Sequence, residues 1–176
     1  GDEANLIFAD TTGGIAGLTI NADGSFMFDT SDAAYEDLDI GDISTINVTY
    51  SVTDPTTDVG NGAFDIVITG TNDAPVATFT TPQTVAEDAA AITDTLTATD
   101  ADAGDVLTFT LDAVTAGLTL AGAVWTFDPS DAAYQSLAIG ESQIITVNYM
   151  VTDSQNTTDQ ESFEITVTGA NDAPVA

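Results

Sequence analysis

The sequence predicts an all-β chain of two antiparallel β-sandwiches in tandem, and three observations predict it. The first is a repeat: TGTNDAPVA at residues 69–77 returns as TGANDAPVA at residues 168–176. Pairing Asp32 with Asp131 and running without gaps to Ala77 and Ala176 gives 23 identical residues in 46 positions, at an offset of 131 − 32 = 99. A period of that size is one small domain per unit. The second is period-two patterning where the copies match. Ile46, Val48, Tyr50 and Val52 alternate with Asn47, Thr49 and Ser51, so one face of the strand enters a core and the other meets solvent. The third is a hydrophobic content of 43%, enough apolar material to build those cores.

The boundaries follow from the repeat: 1–72 is a partial unit lacking its first two strands, and 73–176 is a complete one. In the partial unit, Phe26 and Phe28 mark one strand, Ile46 to Val52 a second, and Phe64, Ile66 and Ile68 a third. The complete unit shows about seven strands: Val76 to Thr80, Ile92 to Thr99, Val106 to Asp112, Leu118 to Ala121, Val124 to Phe127, Ile144 to Thr152, and Ser162 to Thr168. The single helical signal is Asp128 to Leu137. There Asp128 is placed to cap, Pro129 suits a first helical position, and Tyr134 and Leu137 share a face. One or two turns are expected.

An odd strand count puts the two chain ends at opposite poles, so units of this kind stack head to tail as a rod. Sequence alone leaves two readings of the partial unit. Either the chain is an arbitrary cut from a longer array, or another chain supplies the missing strands to the open edges and to a groove over residues such as Ile46 and Val48.

Composition excludes whole classes of chemistry. The chain has 29 acidic residues and no lysine, arginine or histidine, a formal charge of −29. Such a surface repels phosphate backbones and anionic lipid, so nucleic-acid partners and membrane docking are not expected. Without cysteine or histidine there is no zinc or haem site, no thiol nucleophile and no Ser-His-Asp triad. Paired carboxylates remain the one catalytic device available, and loops at the poles of a small sandwich suit an ion better than a substrate cleft. We expect no enzyme. No apolar run approaches the length of a membrane span.

Cations are the partners this charge calls for. The strand ending near Thr99 delivers Asp100, Asp102 and Asp105 to one pole, where Asp153 also ends a strand and where the linker residues Asn72 and Asp73 lie. Hard oxygen ligands in that number fit Ca2+. The opposite pole collects Glu87 and Asp88, the 128–131 turn, and Asn171 with Asp172, a second site that a following unit would complete. The bland alternatives are a solvated acidic surface and, for Asn-Asp-Ala-Pro, a plain turn and stiff linker. Trp125 suggests sugar stacking, but its repeat partner is Phe26 and it alternates with Phe127, which favours a core position.

The TGTNDAPV linker, the VAEDAAAITDTLTATDADAGD segment and the FDPSDAAYQSLAIGE turn resemble the VCBS, or cadherin-like, repeats of giant bacterial surface proteins, along the whole chain. The resemblance implies Ig/cadherin-like sandwiches joined by calcium into extracellular rods of adhesins, often exported by type I systems. Carried over by position, Glu87, Asp100, Asp102, Asn72, Asp73, Asn171 and Asp172 would be ligands. The expected role is a calcium-rigidified spacer of a surface adhesin or biofilm matrix, on the bacterial cell surface, with neighbouring repeats as partners. A self-associating fibre joined by strand donation and a carbohydrate-binding module are the alternatives.

Overall fold

The computed structural model describes residues 5–78 and 80–172; Phe79, within the first expected strand of the complete unit, and Ala173 to Ala176, in the second linker copy, lie outside them. Among the described residues there are only strands, turns and loops. The chain divides into two compact units, Gly1–Asn72 and Asp73–Ala176.

The first unit holds β1 (Ile7–Asp10), β2 (Leu18–Ile20), β3 (Phe26–Phe28), β4 (Ile43–Thr53) and β5 (Val59–Thr69). One sheet has the order β1-β4-β5 and a second pairs β2 with β3. Its longest pairing is the hairpin of β4 and β5, in register from Ile43↔Thr69 to Thr53↔Val59.

The second unit continues with β6 (Val76–Thr78), β7 (Gln83–Ala86), β8 (Ile92–Thr95), β9 (Thr97–Thr99), β10 (Thr108–Leu111), β11 (Leu118–Ala121), β12 (Val124–Phe127), β13 (Ser142–Thr152) and β14 (Thr158–Thr168). Its sheets are β10-β13-β14-β7, β11-β12-β8, and the pair β6-β9. Nine strands replace the seven expected because two stretches of chain, 76–86 and 92–99, each change sheets midway. The first breaks between β6, antiparallel to β9, and β7, parallel to β14. Pro82 lies in that break, and a residue with no N–H to give a ladder sits naturally between sheets. The second breaks at Leu96, whose N–H bonds Ala123 O at 2.9 Å while its side chain is 1% exposed.

The core of the second unit is Trp125, Phe127, Tyr149, Phe163, Ile165 and Val167 with Leu96, Val85 and Leu118 around them. Trp125 is fully buried and stacks on Phe163 with centroids 4.9 Å apart, so the core reading holds and no exposed ring is available there for a sugar.

The segment 128–137 is not helical. Tyr134 N bonds Asp131 O at 3.0 Å and Leu137 N bonds Tyr134 O at 3.2 Å, three residues back each time. Asp128 caps a turn by accepting Ser130 N at 3.0 Å and Ser130 Oγ at 2.7 Å. The residues that suggested a helix start form consecutive turns, because Tyr134 is drawn inward to donate from its hydroxyl to Ala116 O at 2.8 Å. Tyr35 does the same to Ala16 O at 2.8 Å in the first unit. Gly169 belongs to this corner: an added Cβ there would lie 2.2 Å from Ala138 O, so no other residue fits that close approach.

In the first unit Val48 is fully buried, so the open groove expected over it lies elsewhere. It forms where Phe8, Ile20, Gly24, Phe26, Tyr50 and Phe64 line a cavity of about 200 Å3.

Candidate metal centre

The acidic pole of the second unit is assembled from the loops that follow two strands, β9 and β13. β9 stops at Thr99, and Asp100 opens the following loop by accepting the N–H of Asp102 at 3.1 Å. Asp105 comes next, after Gly104 at φ +95°. β13 stops at Thr152, and Asp153 opens the hairpin turn to β14: its Oδ1 accepts Gln155 N at 2.9 Å and Thr157 N at 2.7 Å. The two loops are tied by Ser154, whose Oγ accepts Val106 N at 3.1 Å.

These turns bring Asp100, Asp105 and Asp153 together, each offering one carboxylate oxygen, all within 4.8 Å of one another. Asp153 is 6% exposed. Asp100 Oδ2 and Asp105 Oδ2 are buried and have no hydrogen-bond partner. Three carboxylates this close repel, more so when partly withdrawn from water, and an oxygen that loses water and gains no donor is costly. A divalent cation among them would relieve both penalties. The donor set is all oxygen, which suits calcium and disfavours soft metals.

Asp102, 3% exposed, turns one carboxylate oxygen to the linker, its Oδ2 accepting the N–H of Asp73 at 2.7 Å. It thereby fixes the linker end of the second unit against the loop that carries Asp100 and Asp105. Nearby, Asp159 Oδ2 accepts Ala77 N at 2.9 Å; no sequence pattern marks this anchor, since Asp159 sits inside a strand. Asn72 is half-buried at the end of the first unit.

Glu87 occupies the other end of the second unit and is fully buried. Its Oε1 accepts Ala170 N at 2.7 Å, its own N–H bonds Thr168 O at 3.0 Å, and Gln135 Nε2 reaches its carbonyl at 3.2 Å. Oε2 is buried without a hydrogen-bond partner. Asn171 and Asp172 follow directly; Asp172 is exposed, as is Asp88. Gln135 was missed in the sequence because its repeat partner is Glu36, so no shared residue flagged it.

In the first unit Asp54 repeats the hairpin role of Asp153, with Thr56 N and Asp58 N both 2.9 Å from its Oδ1. Hydrogen bonding, first from the Thr56 hydroxyl, holds its carboxyl below the ordinary 3.8. Among the described residues, the triad of the second unit is the one acidic group of three close enough to share an ion.

A family profile described as Bacterial Ig domain matches residues 72–166, more than half of the 176 residues. The chain belongs to the bacterial Ig domain family. No curated protein matches this bacterial Ig chain. Among solved structures it resembles the protocadherin gamma B7 extracellular cadherin domains 1–4 at 18% identity and TM-score 0.55, covering 96% of this chain and 42% of that one. Mouse cadherin-23 EC22–24 gives 16% and 0.54, covering 97% and 55%, and Drosophila N-cadherin EC1–4 gives 14% and 0.56, covering 98% and 44%. The chain thus spans about half the length of these structures, and the likeness establishes a cadherin-like fold. Among the described residues no helix is long and apolar enough to cross a membrane.

Proposed function

We propose that the chain is a calcium-stiffened extracellular spacer of a bacterial surface adhesin or biofilm-matrix protein, of the VCBS kind its linker and loops resemble. The observation that carries this reading is the triad of Asp100, Asp105 and Asp153, with two buried carboxylate oxygens that no donor reaches.

In this reading Asp100, Asp105 and Asp153 hold the ion, with Asp102 and Asp73 of the same unit beside it. Glu87, Asn171 and Asp172 form the corresponding half-site at the other pole. Calcium supplies positive charge where the chain itself has none. It draws the 100–105 loop, the 153–157 turn and the Asp73 end of the linker into one rigid cluster. Without it, like charges at the same place push the linker away and favour bending at 71–75. Extracellular modules of this type hold calcium at about 0.1 to 1 mM, so external fluid fills them and a cell interior does not. The role is mechanical, with neighbouring repeats as its partners, and no catalytic step is involved.

Small-angle scattering tests the joint. The maximum dimension should increase in about 2 mM calcium relative to chelator, and Asp100→Ala with Asp105→Ala should abolish the increase. Equal dimensions in both solutions would reject the reading.

A further inference from the structure

Two of the three aspartates gathered at the acidic pole are braced by their own loops. Asp100 Oδ1 accepts the N–H of Asp102 at 3.1 Å, and Asp153 Oδ1 accepts Gln155 N at 2.9 Å and Thr157 N at 2.7 Å. Asp105 has no comparable brace among the described residues, and its Oδ2 is buried without a hydrogen-bond partner. On its N-terminal side stands Gly104 at φ +95°, where an added Cβ would meet nothing within 4 Å. A glycine in open space turns freely and holds nothing in place. On the C-terminal side the next N–H, that of Val106, donates to Ser154 Oγ at 3.1 Å.

That one bond joins the residues directly after Asp105 and Asp153, across a sequence separation of 48. The peptide linking Asp105 to Val106 is planar, so a tie at the Val106 N–H also fixes the Cα from which the Asp105 carboxylate projects. The Val106 side chain is 69% exposed and does not anchor the loop by packing. The hairpin turn itself does not need the serine. In the first unit Pro55, which has no hydroxyl, follows Asp54 in the place where Ser154 follows Asp153. Asp54 forms the same turn, with Thr56 N and Asp58 N both 2.9 Å from its Oδ1.

We propose, on the calcium reading of this pole, that Ser154 is its positioning residue: the hydroxyl holds the Val106 N–H and so keeps Asp105 beside Asp100 and Asp153, ready for the cation. Ser154 acts through Asp105 and gives the ion no ligand of its own. Without the tie, repulsion from the other two carboxylates swings Asp105 outward about Gly104. Calcium then has to order the loop as it binds, and the affinity falls by the cost of that ordering. Hydrogen bonds that orient a metal's ligands change affinity by about ten- to a hundredfold. The Ser154 bond is exposed, which puts its effect at the lower end.

The test compares the full chain with Ser154→Ala and Ser154→Thr. In chelator, amide hydrogen exchange at Val106 should be about tenfold faster in Ser154→Ala than in the unaltered chain, with β13 and β14 unchanged. Calcium titration of Ser154→Ala should give a dissociation constant about tenfold higher, while the unfolding transition of Trp125 in chelator stays where it was. Ser154→Thr keeps a hydroxyl and should restore both the slow exchange and the affinity. Equal exchange at Val106, equal calcium affinity in Ser154→Ala, or an affinity loss that Ser154→Thr fails to recover would overturn the proposal while the calcium reading stands. A flat titration of the unaltered chain would reject the calcium reading and this role with it.

Discussion

Asp102 Oδ2 receives the backbone N–H of Asp73 at 2.7 Å, within a side chain only 3% exposed. A buried carboxylate that holds a main-chain donor has a structural role independent of any ion. Asp102→Ala should therefore lower the stability of the second unit even in chelator, by about 1.5 to 3 kcal/mol. Asp102→Asn keeps an acceptor and removes a charge, and should cost less in chelator. Chemical denaturation followed through Trp125 reads both; equal losses would mean that the hydrogen bond is unimportant.

Burial, opposed by the Thr80 hydroxyl and reinforced by Glu161 and Asp159, holds the Tyr149 hydroxyl above the ordinary 10.0. Burial and then Asp131 do the same for Tyr134. Folding thus favours the neutral phenol at both positions. The associated stability is fully present below pH 10 and is lost as pH rises through the folded-state values. Phenolate absorbance should show Tyr134 and Tyr149 ionising above pH 10, with unfolding as they do so. Normal titration of both rings in a chain that stays folded would contradict this.

Thr57 and Asn156 hold equivalent places in the two hairpin turns, at φ 73° and 71°. A β-branched residue is poorly suited to that left-handed conformation, and asparagine tolerates it. Thr57→Asn should stabilise the first unit by about 0.5 to 1 kcal/mol, and Asn156→Thr should destabilise the second to a similar extent. Calorimetry of each variant settles the sign; a stabilising Asn156→Thr would refute it.

Strands with strict alternation were legible in the sequence, since along β12, β13 and β14 each buried side chain is followed by a less buried one. β11 and β12 fall where expected, and β13 and β14 extend the expected strands by a few residues. β7 was missed because QTVA is short, follows a proline and pairs in parallel with a strand some 80 residues on, a contact that local pattern does not encode. The false helix arose from an aspartate, a proline and a helical spacing of apolar residues that also describe successive turns. At the acidic pole, topology was enough to gather Asp100, Asp105 and Asp153. The turning of Asp102 toward Asp73 was not legible, because Asp-x-Asp spacing says which pole a carboxylate reaches and not which donor it meets. Glu87 was placed at its pole, but its complete burial and its bonds with Gln135 and Ala170 join residues about 50 and 80 positions away, which local pattern does not encode.

Calorimetric titration of calcium into the chelator-treated chain tests the central claim most directly. Saturable binding at or below about 1 mM, lost when Asp100 and Asp105 are both replaced by asparagine while the Trp125 unfolding transition is kept, is the predicted result. A flat titration of a folded chain, or undiminished binding by the double variant, would contradict it.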